Sequence, residues 1–172
     1  AIDPNQISFI FVLLLSLSFA TQFVLDLRQS KYLKNNLERI PARFASKISP
    51  EIHKKSIFYT TEKIELRILK NIVEYFFIII VTVGGLLSFL TGVAMDLSTD
   101  FGLPQIVSGV FLIGIFLILS SILELPFSVY KQFVVEKKYG FSRMTVKLFL
   151  SDICKNLILM AIVGCLVLLV AL

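Results

Sequence analysis

Residues 103–141 read LPQIVSGVFLIGIFLILSSILELPFSVYKQFVVEKKYGF. From Leu103 to Leu123 there is no charged side chain. A helix of roughly 20 residues crosses about 30 Å of hydrocarbon, and a helix apolar on every side must sit in a large core or in lipid. Three further runs are long and apolar, with charge only near their ends, and spans are placed near 7–27, 72–95, 103–124 and 153–172. The chain is 56% hydrophobic over 172 residues, with a mean hydropathy of +0.86. A soluble domain of this size would have to hide four long helices with almost no polar face, which excludes a soluble globular reading. The expected fold class is all-α: a polytopic membrane helical bundle of about four transmembrane helices with cytoplasmic helical extensions, forming one membrane domain over 1–172.

The basic residues fix the expected topology. Eleven of the seventeen Lys and Arg lie between Arg28 and Lys70, and the other six between Lys131 and Lys155. The hairpin from Met95 to Pro104 carries none and holds Asp96 and Asp100 instead. Cytoplasmic loops of membrane proteins carry the excess of Lys and Arg. The loops 28–71 and 125–152 are therefore expected in the cytoplasm, with the N-terminus and the acidic hairpin outside. The same rule accounts for the net charge of +5 without nucleic acid as a partner. Ser18-Phe19-Ala20 is similar to a signal-peptidase site, but no basic region precedes it, so 7–27 is read as a retained anchor.

Between the spans, Arg28–Leu37 continues the first helix into the cytoplasm and Pro41 breaks or bends it. Ser49-Pro50-Glu51 is a helix start: a capping serine, a proline in the first turn and an acid at the positive dipole end. No Pro or Gly follows until Gly84, which predicts one long helix entering the second span. Ile57, Ile64, Ile68, Ile72 and Tyr75 fall at helical spacing, a stripe suited either to packing against 28–44 or the membrane surface, or to walling a partner domain. Gly84, Ser88 and Gly92 are spaced by four, as in close helix packing. Leu125-Pro126 is expected to end the third span or start a new helix. Phe127, Tyr130 and Val134 would line one face of a short amphipathic helix and Lys131, Lys137 and Lys138 another. Gly140 suits its left-handed stop, and Thr145 suits the next cap.

Few residues invite chemistry. Asp26, Glu74, Glu124 and Asp152 stand where apolar runs meet the inside loops. Acids so placed are functional when buried, but at helix ends they more often pair with Lys or Arg. Cys154 and Cys165 are eleven residues apart on one helix, about 16 Å, whereas a disulfide needs Cα atoms within about 7 Å; they read as small core residues. His53 is the single histidine. It reads as a surface residue, because a zinc site takes three or four ligands.

The stretch Leu125–Phe141, the following Thr145 and the Asp-x-x-Lys of Asp152–Lys155 resemble the CAAX prenyl proteases. So do RQSKYLKNNLERIPARF at 28–44 and ISPEIHKKSIFYTTEKIE at 48–65. The departure is Ser142-Arg143, where that family usually has Asn-Lys after Gly-Phe. The resemblance implies a zinc metallopeptidase of the endoplasmic reticulum, or of the inner membrane in bacteria, acting near the C-terminus of prenylated or membrane-associated proteins. It also implies a His-Glu-x-x-His helix, two zinc ligands one turn apart with a glutamate base between them. This chain holds no such motif. It stops at Leu172 within an apolar run, so the expectation is a non-catalytic N-terminal membrane domain. No catalytic, cofactor or metal residue is expected in it, zinc would belong to the parent enzyme, and a C-terminal peptidase domain and the lipid bilayer would be its partners. A stand-alone membrane scaffold is the alternative. Transport is weaker still, because the span centres lack charge.

Overall fold

The computed structural model describes residues 4–40, 48–102, 104 and 106–171. The expected break at Pro41, and Arg43 and Lys47 beside it, lie outside the described residues. The fold is all-α and polytopic, as the sequence predicts. Its elements are α1 (Pro4–Asn35), α2 (Pro50–Thr82), α3 (Leu86–Asp100), α4 (Ile106–Tyr130), a π-turn at Lys131–Val135, the short α5 (Glu136–Lys138) and α6 (Val146–Ala171). Among the described residues, Gln6–Asn35 and Val107–Lys138 are each long and apolar enough to cross a membrane. α2 and α3 make a third crossing if they are one broken span. Leu17, Phe89 and many other large apolar side chains stand exposed on these helices. Such an area is untenable in water, whereas in lipid only the backbone must be satisfied internally.

The chain forms two compact units: 1–79 with 127–142, and 80–126 with 143–172. In the first, α1 and α2 run antiparallel. Ser16 Oγ and Tyr75 Oη are 2.8 Å apart, and the Phe19 and Tyr75 rings stack at 4.6 Å. About two helical turns further on, Asp26 meets Arg67, and beyond that Lys34 Nζ meets Glu65 Oε1 at 3.0 Å. At about 48 Å, α1 is longer than the hydrocarbon is thick, so the hairpin continues past the lipid as a polar extension. The predicted start of α2 is present: Ser49 Oγ accepts the Ile52 N–H at 3.3 Å, ahead of Pro50 and Glu51. Ile57, Thr61 and Ile64 form its buried seam.

In the second unit the helix predicted to run unbroken through 72–95 is interrupted at 83–85. Gly85 adopts φ 79°, left-handed backbone. A Cβ on Gly84 would stand 2.6 Å from the Ile80 carbonyl oxygen. The pair therefore serves the break. The expected 84/88/92 packing stripe does not form, since Gly84 is not helical and Ser88 and Gly92 are exposed. α3 buries Leu90, Ala94 and Ser98 instead. Pro126 is likewise no terminus: α4 continues through it to Tyr130. Thr145 caps α6 as predicted, accepting the Leu148 N–H at 3.3 Å. Cys154, read as a core residue, is exposed; the side chain of Cys165 lies outside those described.

Asp26 is the most buried charge of the hairpin, 1% exposed. Arg67 Nη2 donates to its Oδ1 at 2.6 Å and Nε to Oδ2 at 3.2 Å. Gln22 Nε2 adds a third donor at 3.1 Å. The Arg67 side chain keeps 46% exposure, so the two partners are not equivalent. Removing Arg67 strands a buried carboxylate, whereas removing Asp26 leaves a guanidinium that still reaches a polar phase. Arg67→Ala is expected to destabilise the protein by about 3 kcal/mol and Asp26→Ala by about 1 kcal/mol. Unfolding in detergent checks this; the reverse order would contradict it.

Candidate functional site

The residues with most structure around them lie where 135–142 closes over the extension of α2. The π-turn at Lys131–Val135 inserts a wider turn after α4, which rotates the following side chains relative to a regular α-helix. Val135 and Tyr139 are consequently buried, while Tyr130 and Val134, expected on the packed face, are exposed. After α5 the chain stops in a Schellman arrangement. The Phe141 N–H donates to the Glu136 carbonyl at 2.9 Å and the Gly140 N–H to that of Lys137 at 3.1 Å. Gly140 has φ 77°, as its sequence position predicts.

That stop turns three aromatic rings towards one another. Tyr59 of α2 meets Tyr139 edge-on at 5.4 Å and Phe141 at 4.8 Å between centroids. The Tyr59 hydroxyl donates to Glu136 Oε1 at 2.7 Å and accepts from Lys63 Nζ at 3.2 Å. Lys138 pairs with Glu62, and Lys55 Nζ lies 5.9 Å from the centre of the Phe141 ring. Glu136 thus has two tasks: its carboxylate takes the Tyr59 proton donor and its carbonyl takes the terminal N–H groups. Ser142, the point of departure from the resembled pattern, has its Oγ as the acceptor of Gln132 Nε2 at 2.7 Å. Desolvation first, and then the Glu136 carboxylate, push the Tyr59 hydroxyl up to about 12. Burial does the same in direction for Tyr139, helped by Glu62.

The acids singled out in the sequence do not converge. Asp26 is held by Arg67; Glu74 lies 3.6 Å from Lys70; Asp152 lies 3.3 Å from Lys155; Glu124 is exposed on α4. His53 is half-buried rather than free on the surface, with Nε2 3.4 Å from the Asn36 carbonyl oxygen. Among the described residues no three of His, Cys, Asp and Glu stand together as a metal would need. Sequence reasoning missed Arg67 and the Tyr59–Glu136 pair. Both depend on contacts between residues more than 40 positions apart, for which a single sequence holds no periodic signal. Gln22 and Asp26, polar at i and i+4 near the end of an apolar run, were the available hint.

A family model described as "CAAX prenyl protease N-terminal, five membrane helices" matches residues 29–172. The CAAX prenyl protease 1 homolog of Dictyostelium discoideum is 32% identical over 131 residues, covering 76% of this chain and 30% of that protein. The homolog of Oryza sativa subsp. japonica is 30% identical over 152 residues, covering 86% and 35%. The crystal structure of S. mikatae Ste24p superposes with a TM-score of 0.78 at 24% identity, over 92% of this chain and 38% of that one, a likeness of fold. The chain spans about a third of the length of the relatives it matches.

The raised Tyr59 group has a signed consequence for stability. Its folded value is about 12 against an ordinary 10, so its contribution is complete below pH 10 and is lost as pH rises through about 12. Tyr59→Phe is expected to cost about 1–2 kcal/mol at neutral pH, with a difference that fades above pH 10. Denaturation at pH 7 and pH 11.5, with tyrosinate absorbance followed in parallel, measures both. A Tyr59 that ionises near 10 would contradict the assignment.

Proposed function

The chain belongs to the CAAX prenyl protease N-terminal family, and on that premise we propose that it is the non-catalytic membrane domain of a zinc-dependent endopeptidase, forming part of an intramembrane enclosure and docking the peptidase domain. The observation that carries this reading is the clasp just described. The extension of α2 and residues 135–142 belong to the two basic segments of the chain, which are separated in sequence by residues 72–123, a stretch with no Lys or Arg. Side chains of the two segments nonetheless meet through Tyr59–Glu136 and Lys138–Glu62. Two loops that touch lie on one side of a bilayer, which supports a shared cytoplasmic face for both.

A domain of this kind contributes rigidity rather than chemistry. The clasp consists of ring contacts, a charge-assisted hydrogen bond and a capped turn, which hold a polar platform immediately outside the lipid. A peptidase domain seated on that platform would meet substrates whose C-termini are held at the membrane by a prenyl group or by other membrane association. The bacterial inner membrane is the setting favoured for this chain, or the endoplasmic reticulum in a eukaryote. The described residues offer no set of metal ligands, so the zinc and its ligands are assigned to the remainder of the parent protein, and no catalytic step is derived from the residues of this chain.

Splitting the parent tests the division of labour. The purified chain alone is expected to retain less than about 0.1 zinc per molecule, because a protein zinc site requires three or four ligands, and to cleave no prenylated peptide. Co-expressed with the remaining portion, it is expected to restore cleavage. One tightly bound zinc per isolated chain, or full activity of the remaining portion without it, would overturn the proposal.

A further inference from the structure

The exposed face of α1 carries a pattern that docking of a peptidase domain does not use. Ile7, Ile10, Leu14, Leu17 and Val24 follow one another at steps of three, four and seven residues and all point away from the packed side of the helix, Leu17 at 61% exposure and Val24 at 52%. The same steps then reach Arg28 and Lys31, both exposed. Tyr32, beside them, is 67% exposed. A single helix face thus passes from oil to two cations and a tyrosine within about two turns. The opposite face holds Asp26 and Ser30 buried.

The distribution of ion pairs sharpens the pattern. Lys34, the next cation on α1, is paired with Glu65, and elsewhere Lys54 is paired with Glu38 and Lys138 with Glu62. Arg28 and Lys31 have no such partner among the described residues. They stand just past Leu27, at about 1.5 and 6 Å along the axis. The headgroup layer on each side of the hydrocarbon is about 5–7 Å deep. Of the three cations on α1, the two left without an ion-pair partner among the described residues are therefore the two that fall at phosphate depth, and tyrosine is the aromatic expected at that level.

We propose that Arg28 and Lys31, on the outward face of α1, form a binding site for the headgroup of an anionic phospholipid, with Tyr32 anchoring the same level. The guanidinium supplies a planar fork to the phosphate oxygens and the ammonium a point charge one turn away. The inference rests on α1 crossing the membrane and not on the docking role, so either can fail alone.

The test uses the full-length protein in detergent micelles, titrated with phosphatidylglycerol or with phosphatidylcholine of the same chain length, the affinity being read from the ligand-dependent rise in the unfolding midpoint. Wild type is expected to prefer phosphatidylglycerol. R28Q/K31Q is expected to lose most of that preference, about 30-fold from roughly fivefold per charge. Lys34→Gln, whose cation is already paired, serves as the control and keeps the preference. Circular dichroism and the unfolding midpoint in phosphatidylcholine confirm that the double variant is folded, and R28K/K31R is expected to retain the preference if it is not. Inorganic phosphate at equal concentration is expected to give no stabilisation. Undiminished preference in folded R28Q/K31Q, an equal loss in Lys34→Gln, loss of the preference in R28K/K31R, or an equal effect of inorganic phosphate would each overturn the site.

Discussion

A charge moved to the centre of a bilayer costs about 2.5–3.5 kcal/mol even on lenient scales, and the organisation of this chain follows from that cost. Its seventeen basic residues fall into two stretches, leaving long apolar segments between them. A charge that the chain buries close to hydrocarbon is compensated by a partner side chain. Asp26 is nearly sealed from solvent and receives Arg67 through two hydrogen bonds and Gln22 through a third. This contact ties α1 to α2 at the level where the apolar run gives way to polar sequence. The ring contacts of Phe19 with Tyr75 on one side of it and the Lys34–Glu65 pair on the other extend the same antiparallel register.

The second fixed point is the clasp between α2 and residues 135–142. The Glu-x-x-x-Gly-Phe sequence there would be easy to mistake for a catalytic signature. Its residues instead complete a helix stop and a tyrosine–carboxylate hydrogen bond. A glutamate that spends both its carboxylate and its carbonyl on structure is poorly placed for acid–base work.

Much of this was legible in the sequence, because it depends on short-range rules. The apolar runs, the Ser49-Pro50-Glu51 start, the Gly140 stop and the Thr145 cap are all local. The errors came from backbone irregularities and distant partners. Gly84 fits a packing stripe with Ser88 and Gly92 by spacing, yet a Cβ there would strike the Ile80 carbonyl and the adjacent Gly85 takes positive φ, so the pair breaks the helix. Pro126 looked like a terminus, but α4 accommodates it. The π-turn at Lys131–Val135 moved burial from Tyr130 and Val134 to Val135 and Tyr139. Periodicity at a fixed 100° cannot foresee a wider turn. Arg67 and Tyr59 found partners 41 and 77 positions away, beyond the reach of any local rule.

The account stands or falls on whether the two basic stretches share one compartment. Single cysteines placed at Lys54, Lys137 and Asp96, in a background with Cys154 and Cys165 changed to serine, can be labelled with a membrane-impermeant maleimide in intact cells and again after permeabilisation. The account predicts that positions 54 and 137 react only after permeabilisation, while position 96 reacts in intact cells. Labelling that separates 54 from 137 would contradict it.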